Sequence, residues 1–157
     1  MSNVVNTLPR RATIRGVVTA TLFAAGAAHA DCIDDAAAFH RVNASLVRAI
    51  AIQESGMNPK SVGRNRNGSR DIGLMQINSA WIPTLARYGV TESSLFDACT
   101  NAYVGTWILA QNIARIGNSW EAVGAYNAVT PSKRAAYVQK IYRRLMAIDP
   151  AMVEQAR

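Results

Sequence analysis

Glu54 is the carboxylate in this chain best placed to do acid chemistry. In the stretch Ser45–Ser55, SLVRAIAIQES, it follows Ala51 by three residues, Ile50 by four and Val47 by seven. In a helix these offsets put all four residues on one face. Burying that face carries a carboxylate toward the core at the last turn before Gly56. Desolvation and the negative end of the helix dipole both disfavour the anion there. A carboxylic acid that keeps its proton near neutral pH can protonate a leaving-group oxygen. Taken alone, the stretch fits a structural Glu better, its stem packed and its head in solvent.

Other polar residues occupy unusual places: Ser55 beside Glu54, Gln76 inside the apolar run Leu74–Ile77, and Asn127 directly after Tyr126. Singly, each reads as a capping or exposed residue. Between the first and last helices the remaining acids are Asp71, Glu92, Asp97 and Glu121. The last three suit helix starts, which leaves Asp71, in the loop before Gly73, as the one able to reach a cleft. His29 and His40 have no cluster of cysteines or carboxylates around them, so neither makes a metal site. Trp107 falls on an apolar helical stripe and reads as core. Trp81 and Trp120 are open between core and ligand-stacking roles.

The elements that must position these groups begin after residue 30. Arg10, Arg11 and Arg15 precede a small-residue and apolar run, Gly16 to Ala27, and Ala28-His29-Ala30 forms an A-x-A cleavage signal, so residues 1–30 are expected to be a secretory leader. No later stretch is apolar enough for a membrane span. Residues 31–157 suffice for one domain with a core. The leader holds three of the 17 basic residues and none of the 10 acidic ones, leaving 14 against 10, a net charge of +4 in place of the full-chain +7. A moderately basic exported domain suits an anionic envelope polymer, and no nucleic-acid motif is present. Cys32 and Cys99 are the only cysteines. An even count in an oxidising compartment favours a disulfide, worth about 4 kcal/mol in the chain-entropy model for so long a loop.

Periodicity and capping predict a mostly helical domain. Asp34-Asp35 start a short helix to Arg41, and Asn43 or Ser45 caps the Glu54 helix. Gly56 to Ile72 reads as loop, and the run Gly73–Asn78 is too short to assign. Helical segments follow from Ser79 and Pro83 to Tyr88, from Thr91 to Phe96, from Asn101 to Ile116, from Trp120 to Ala125, and from Pro131 to about Ile148. The last carries Val138, Ile141, Leu145 and Ile148 on its expected core face. No stretch shows the alternation and hairpin turns of strands.

Glu54-Ser55 at a helix end, Gly73-Leu74-Met75-Gln76-Ile77 and Ala125-Tyr126-Asn127-Ala128, in that order and with Asn101 in a helix between the last two, resemble the soluble lytic transglycosylases. That family is lysozyme-like and cleaves peptidoglycan. The small exported domain and the cysteine positions look most like the subgroup that accompanies secretion, pilus or conjugation machinery. The resemblance implies a single lysozyme-like domain over residues 31–157, in the periplasm, with Glu54 as the only catalytic carboxylate and no cofactor. It implies that Ser55, Met75, Gln76, Asn101, Tyr126 and Asn127 bind glycan strands, with Met75 and Tyr126 as apolar walls. Glycosidases that hydrolyse normally need a second carboxylate; a transglycosylase uses the substrate's N-acetyl group and 6-hydroxyl instead. Two alternatives stand beside this reading: a lysozyme-type hydrolase that uses Asp71 or a bound water, and a non-catalytic wall-binding subunit. The family usually has Gly after Tyr-Asn-Ala. Val129 stands there, so the loop is expected to run differently, because a β-branched residue resists a left-handed turn.

Overall fold

The computed structural model describes residues 25–151, with side chains from Cys32 onward. The first 24 residues of the expected leader lie outside the described residues.

Helix α1, Ala25–His40, is longer than Asp34-Asp35 suggested and passes through the expected cleavage site. Its Ile33, Ala36 and Ala37 are buried, at the spacing of one helical face. Helix α2, Ala44–Ser55, starts where Asn43 accepts a hydrogen bond from the Leu46 N–H, so Asn43 is the cap and Ser45 is not. It stops at Gly56, whose left-handed backbone (φ 63°) turns its N–H back onto the Ala51 and Ile52 carbonyls. The expected face is real: Val47, Ile50 and Ala51 are fully buried.

The stretch read as loop contains a small sheet. Strands β1 (Val62–Arg64), β2 (Arg70–Ile72) and β3 (Ile77–Asn78) pair antiparallel in chain order. The register sets Asp71 between Gly63 and Asn78. A turn through Gly68 (φ 83°) joins β1 to β2, and the Asn65 N–H donates to the Ser69 carbonyl at 2.9 Å. Strands of two or three residues are too short to show alternation, so the sequence carried no strand signal.

A 3-10 turn, Ser79–Trp81, leads into the short helix α3, Ile82–Leu85, and a second 3-10 turn ends at Gly89. A further 3-10 turn, Ser93–Phe96, precedes α4, Ala98–Ile116. Asp97 caps α4 by accepting from the Thr100 N–H, so the helix begins at Ala98, three residues before the expected start. Helices α5, Trp120–Asn127, and α6, Pro131–Ile148, complete the described chain. Helix α5 reaches Asn127, two residues past the expected end, so Tyr126 and Asn127 are its last turn. The buried face of α6 is Tyr137, Ile141 and Leu145, whereas Val138 is only partly buried.

Helix α4 packs against α1 and α5, and α6 against α2 and α5. Cys32 on α1 and Cys99 on α4 form a disulfide across 67 residues. Ile33 of α1, Ile50 of α2, Leu74 and Met75 of the turn between β2 and β3, Leu109 of α4 and Ile141 of α6 are all fully buried and form one core. No described helix is long and apolar enough to cross a membrane.

Candidate active site

A cleft of about 800 Å³ lies between the sheet and the junction of α5 with α6. Glu54 enters it from the end of α2. Asp71, Gln76, Asn78 and Trp81 line the sheet side, and Tyr126, Asn127, Val129 and Lys133 line the helical side.

Glu54 is partly buried, and its Oε1 accepts a hydrogen bond from Tyr137 Oη at 2.5 Å. Burial pushes its carboxyl pKa up. The Tyr137 bond pulls it down, the nearby Asp71 charge raises it, and Lys140 lowers it, with burial dominant. Tyr137 is itself buried, and burial together with the charge of Glu54 raises its hydroxyl far above the ordinary tyrosine range. It therefore remains a donor at any working pH. The Glu54 carboxyl is thus biased toward its protonated form and held by a hydrogen bond from a residue 83 positions away in sequence. Tyr137 was missed because its partner is on another helix. The available signal was a tyrosine on the buried stripe of α6, whose hydroxyl needs a partner.

Four of the six expected sugar-binding residues converge on the backbone of the Ile72–Gln76 turn. Ser55 Oγ donates to the Leu74 carbonyl at 2.7 Å and accepts from the Asn58 N–H. Asn101 is fully buried; its Oδ1 accepts from the Met75 N–H at 2.7 Å, and its Nδ2 donates to the Ile72 and Leu95 carbonyls at 2.9 and 2.7 Å. Tyr126 Oη donates to the Met75 carbonyl at 2.9 Å. Gln76 closes the turn on itself, its Nε2 donating to the Gly73 carbonyl at 2.8 Å. The turn needs this support because Gly73 and Gln76 both hold left-handed backbone, φ 79° and 51°. At Gly73 a Cβ would sit 2.2 Å from Asn101 Nδ2 and 2.4 Å from the Leu95 carbonyl, so only glycine fits.

The structure thus sorts the expected residues. Glu54, Gln76, Tyr126 and Asn127 line the cleft; Ser55, Met75 and Asn101 are not among its lining residues. Met75 is no cleft wall, because its fully buried side chain lies over Gly105 of α4, where a Cβ would come within 2.4 Å of its sulfur. Asn127 is exposed and its side chain makes no hydrogen bond within the described residues, which leaves the amide available to a ligand. Asp71 does reach the cleft, held by Asn78 Nδ2 at 2.7 Å and Asn65 Nδ2 at 2.9 Å. Trp81 lines the cleft with its ring edge-on to Trp107, centroids 5.5 Å apart, whereas Trp120 packs on Tyr142. At Val129 the glycine is unnecessary: Ala128 is extended (φ −141°, ψ 149°), Val129 has no left-handed backbone, and its side chain stands exposed on the rim.

A helical domain with a small antiparallel sheet, and one half-buried acid of raised pKa facing that sheet across a cleft, defines the lysozyme-like class of glycan-cleaving domains. Residues 31–142 match the family described as the transglycosylase SLT domain, and the chain belongs to it. Membership makes it a peptidoglycan lytic transglycosylase. Among similar proteins are the invasion protein IagB of Salmonella typhimurium, 42% identical over 85% of this chain and 88% of that one, and protein IpgF of Shigella flexneri, 40% identical over 76% and 82%. A peptidoglycan-binding-like protein of Escherichia coli O157:H7 is 37% identical over 83% of both chains. Among solved structures, an inactive mutant of the lytic transglycosylase Slt from Pseudomonas aeruginosa superposes with a TM-score of 0.64 at 21% identity. That match covers 81% of this chain but only 25% of the other, and what it establishes is the fold.

Proposed function

We propose that the protein cleaves the β-1,4 bond between N-acetylmuramic acid and N-acetylglucosamine and leaves a 1,6-anhydro product. The single observation that carries this is Glu54, set in the cleft with its carboxyl held by Tyr137 and its pKa raised by burial. Glu54 gives its proton to the glycosidic oxygen as the bond to C1 breaks. The substrate's N-acetyl group stabilises the positive charge developing at C1. The 6-hydroxyl of the same sugar then attacks C1 and passes its proton to the Glu54 carboxylate, which restores the acid without water. Gln76 and Asn127 bind sugar and peptide amides, Tyr126 supplies an apolar wall, and Trp81 offers a ring to a sugar face. Ser55, Met75 and Asn101 serve the same site by holding the turn beneath it.

Residues 1–30 act as a secretory leader and deliver the domain to the periplasm. The family match beginning at residue 31 and the disulfide support this. The enzyme opens the wall locally for a secretion, pilus or conjugation apparatus, a reading supported by its likeness to an invasion protein.

Asp71 favours a second reading, a hydrolase in which that carboxylate aids a water, because it lies in the cleft and is held by two amide donors. Mass spectrometry of purified wall digested by the protein, beside Glu54→Gln and Asp71→Asn controls, decides between them. Anhydro termini that persist in Asp71→Asn support the transglycosylase. Reducing termini lost with Asp71 support the hydrolase.

A further inference from the structure

The cleft's cations are distributed in a way that acid chemistry alone does not explain. Its interior is acidic, with Glu54 and Asp71, but Arg66 lines it from the β1–β2 turn and Lys133 from the first turn of α6. Both are exposed. Among the described residues neither has an ion-pair partner, whereas Arg48, Arg70 and Arg134 each hold an acid. Two unpaired cations, one on each side of a cleft with an acidic interior, do not help bind the neutral sugar backbone. They suit a ligand whose backbone is uncharged and whose substituents are anionic.

Resting on the activity proposed above, we infer that Arg66 and Lys133 read the carboxylates carried by the muramic acid residues of the strand. The cleft thereby distinguishes wall glycan from an uncharged N-acetylglucosamine polymer with the same linkage. The chemistry is a carboxylate against a guanidinium and an ammonium, the guanidinium able to take it in bidentate fashion. Two sources supply that group: the lactyl carboxylate of a peptide-free strand, and the free carboxylates of an attached stem peptide. Exposed pairs of this kind are worth up to roughly fivefold each in affinity, so the two together give a preference of about tenfold at low salt, declining as salt rises.

The test is fluorescence anisotropy on the full chain carrying Glu54→Gln, which separates binding from cleavage. Three oligomers of equal length are compared: N-acetylglucosamine only, peptide-free wall glycan, and peptide-bearing wall glycan. The expected result is about tenfold tighter binding to a carboxylate-bearing strand. A gain already present with peptide-free glycan assigns the lactyl group; one that needs the peptide assigns the stem. Adding Arg66→Gln and Lys133→Gln should bring the ratio of affinities to about one, and Lys133→Glu should reduce the carboxylate-bearing arm alone. Equal affinity for all three oligomers, or a preference that survives the double substitution, overturns the inference. Failure of the transglycosylase reading would appear separately, as the absence of anhydro termini in wild-type digests.

Discussion

Asn101 separates two accounts of the same motif. If it binds sugar, Asn101→Ala raises KM in a stable protein. The structure gives it three hydrogen bonds to buried backbone groups, the Met75 N–H and the Ile72 and Leu95 carbonyls. Truncation orphans all three, at about 1–3 kcal/mol each. Allowing water to reach some of them, the loss is roughly 3–6 kcal/mol, against a total of about 5–15 for a typical domain. At about 4 °C per kcal/mol for a domain of this size, the melting temperature should fall by roughly 12–24 °C. Asn101→Asp gives a sharper signature. It keeps the acceptor for Met75 but sets an oxygen against two carbonyls, so the buried acid must hold a proton. Its folded pKa then lies above its unfolded one, and the variant should lose stability as pH rises from the ordinary aspartate value toward the raised one. Calorimetry across pH, with kcat and KM measured well below each melting point, tests both. An Asn101→Ala protein that melts within about 3 °C of wild type and shows only a raised KM would refute the clamp.

Glu54→Gln should lower cleavage by roughly 10²–10⁴, and digestion at the wild-type rate would end the mechanism. Because the Glu54 pKa is raised in the fold, the unfolded chain releases that proton first as pH rises. Wild-type stability should therefore decline from the ordinary glutamate value up to the raised one, and the Gln variant should lack that decline in melting scans. Wild-type activity should fall as pH passes the raised value. Tyr137→Phe removes a bond that favours the anion and should move this fall to higher pH; a move to lower pH would contradict the assignment. Cys99→Ser should cost up to about 4 kcal/mol of stability while protein that remains folded still cleaves, and two free thiols in protein isolated from the envelope would show that the bridge is not formed there.

The placement of Glu54 was legible because it depends on local rules: a 3.6-residue apolar period, a capping Asn and a stopping Gly all lie within fourteen residues. The helical character of the domain was legible for the same reason. The sheet was not, since its strands are two and three residues long and form around turns. Tyr137 was not, since nothing local to α6 points to a carboxyl on α2. The motif residues stood out by type and order, whereas the contacts each one makes did not. A motif marks residue types that matter, and an amide contacting a backbone carbonyl reads the same as one awaiting a sugar. At Ser55 and Asn101 the structure gives the backbone; at Asn127 it leaves the amide open.

The bridge between Cys32 and Cys99 closes a covalent ring, and the cleft straddles its boundary. Glu54, Asp71, Gln76 and Trp81 lie inside the ring, whereas Asn127, Lys133 and Tyr137 belong to a helix pair outside it, held to the rest by packing and hydrogen bonds. A chain emerging amino end first therefore presents its acid long before the hydroxyl that fixes it and the second wall that makes a groove. The groove and the hydrogen bond on its acid are complete only once that helix pair docks against the ring.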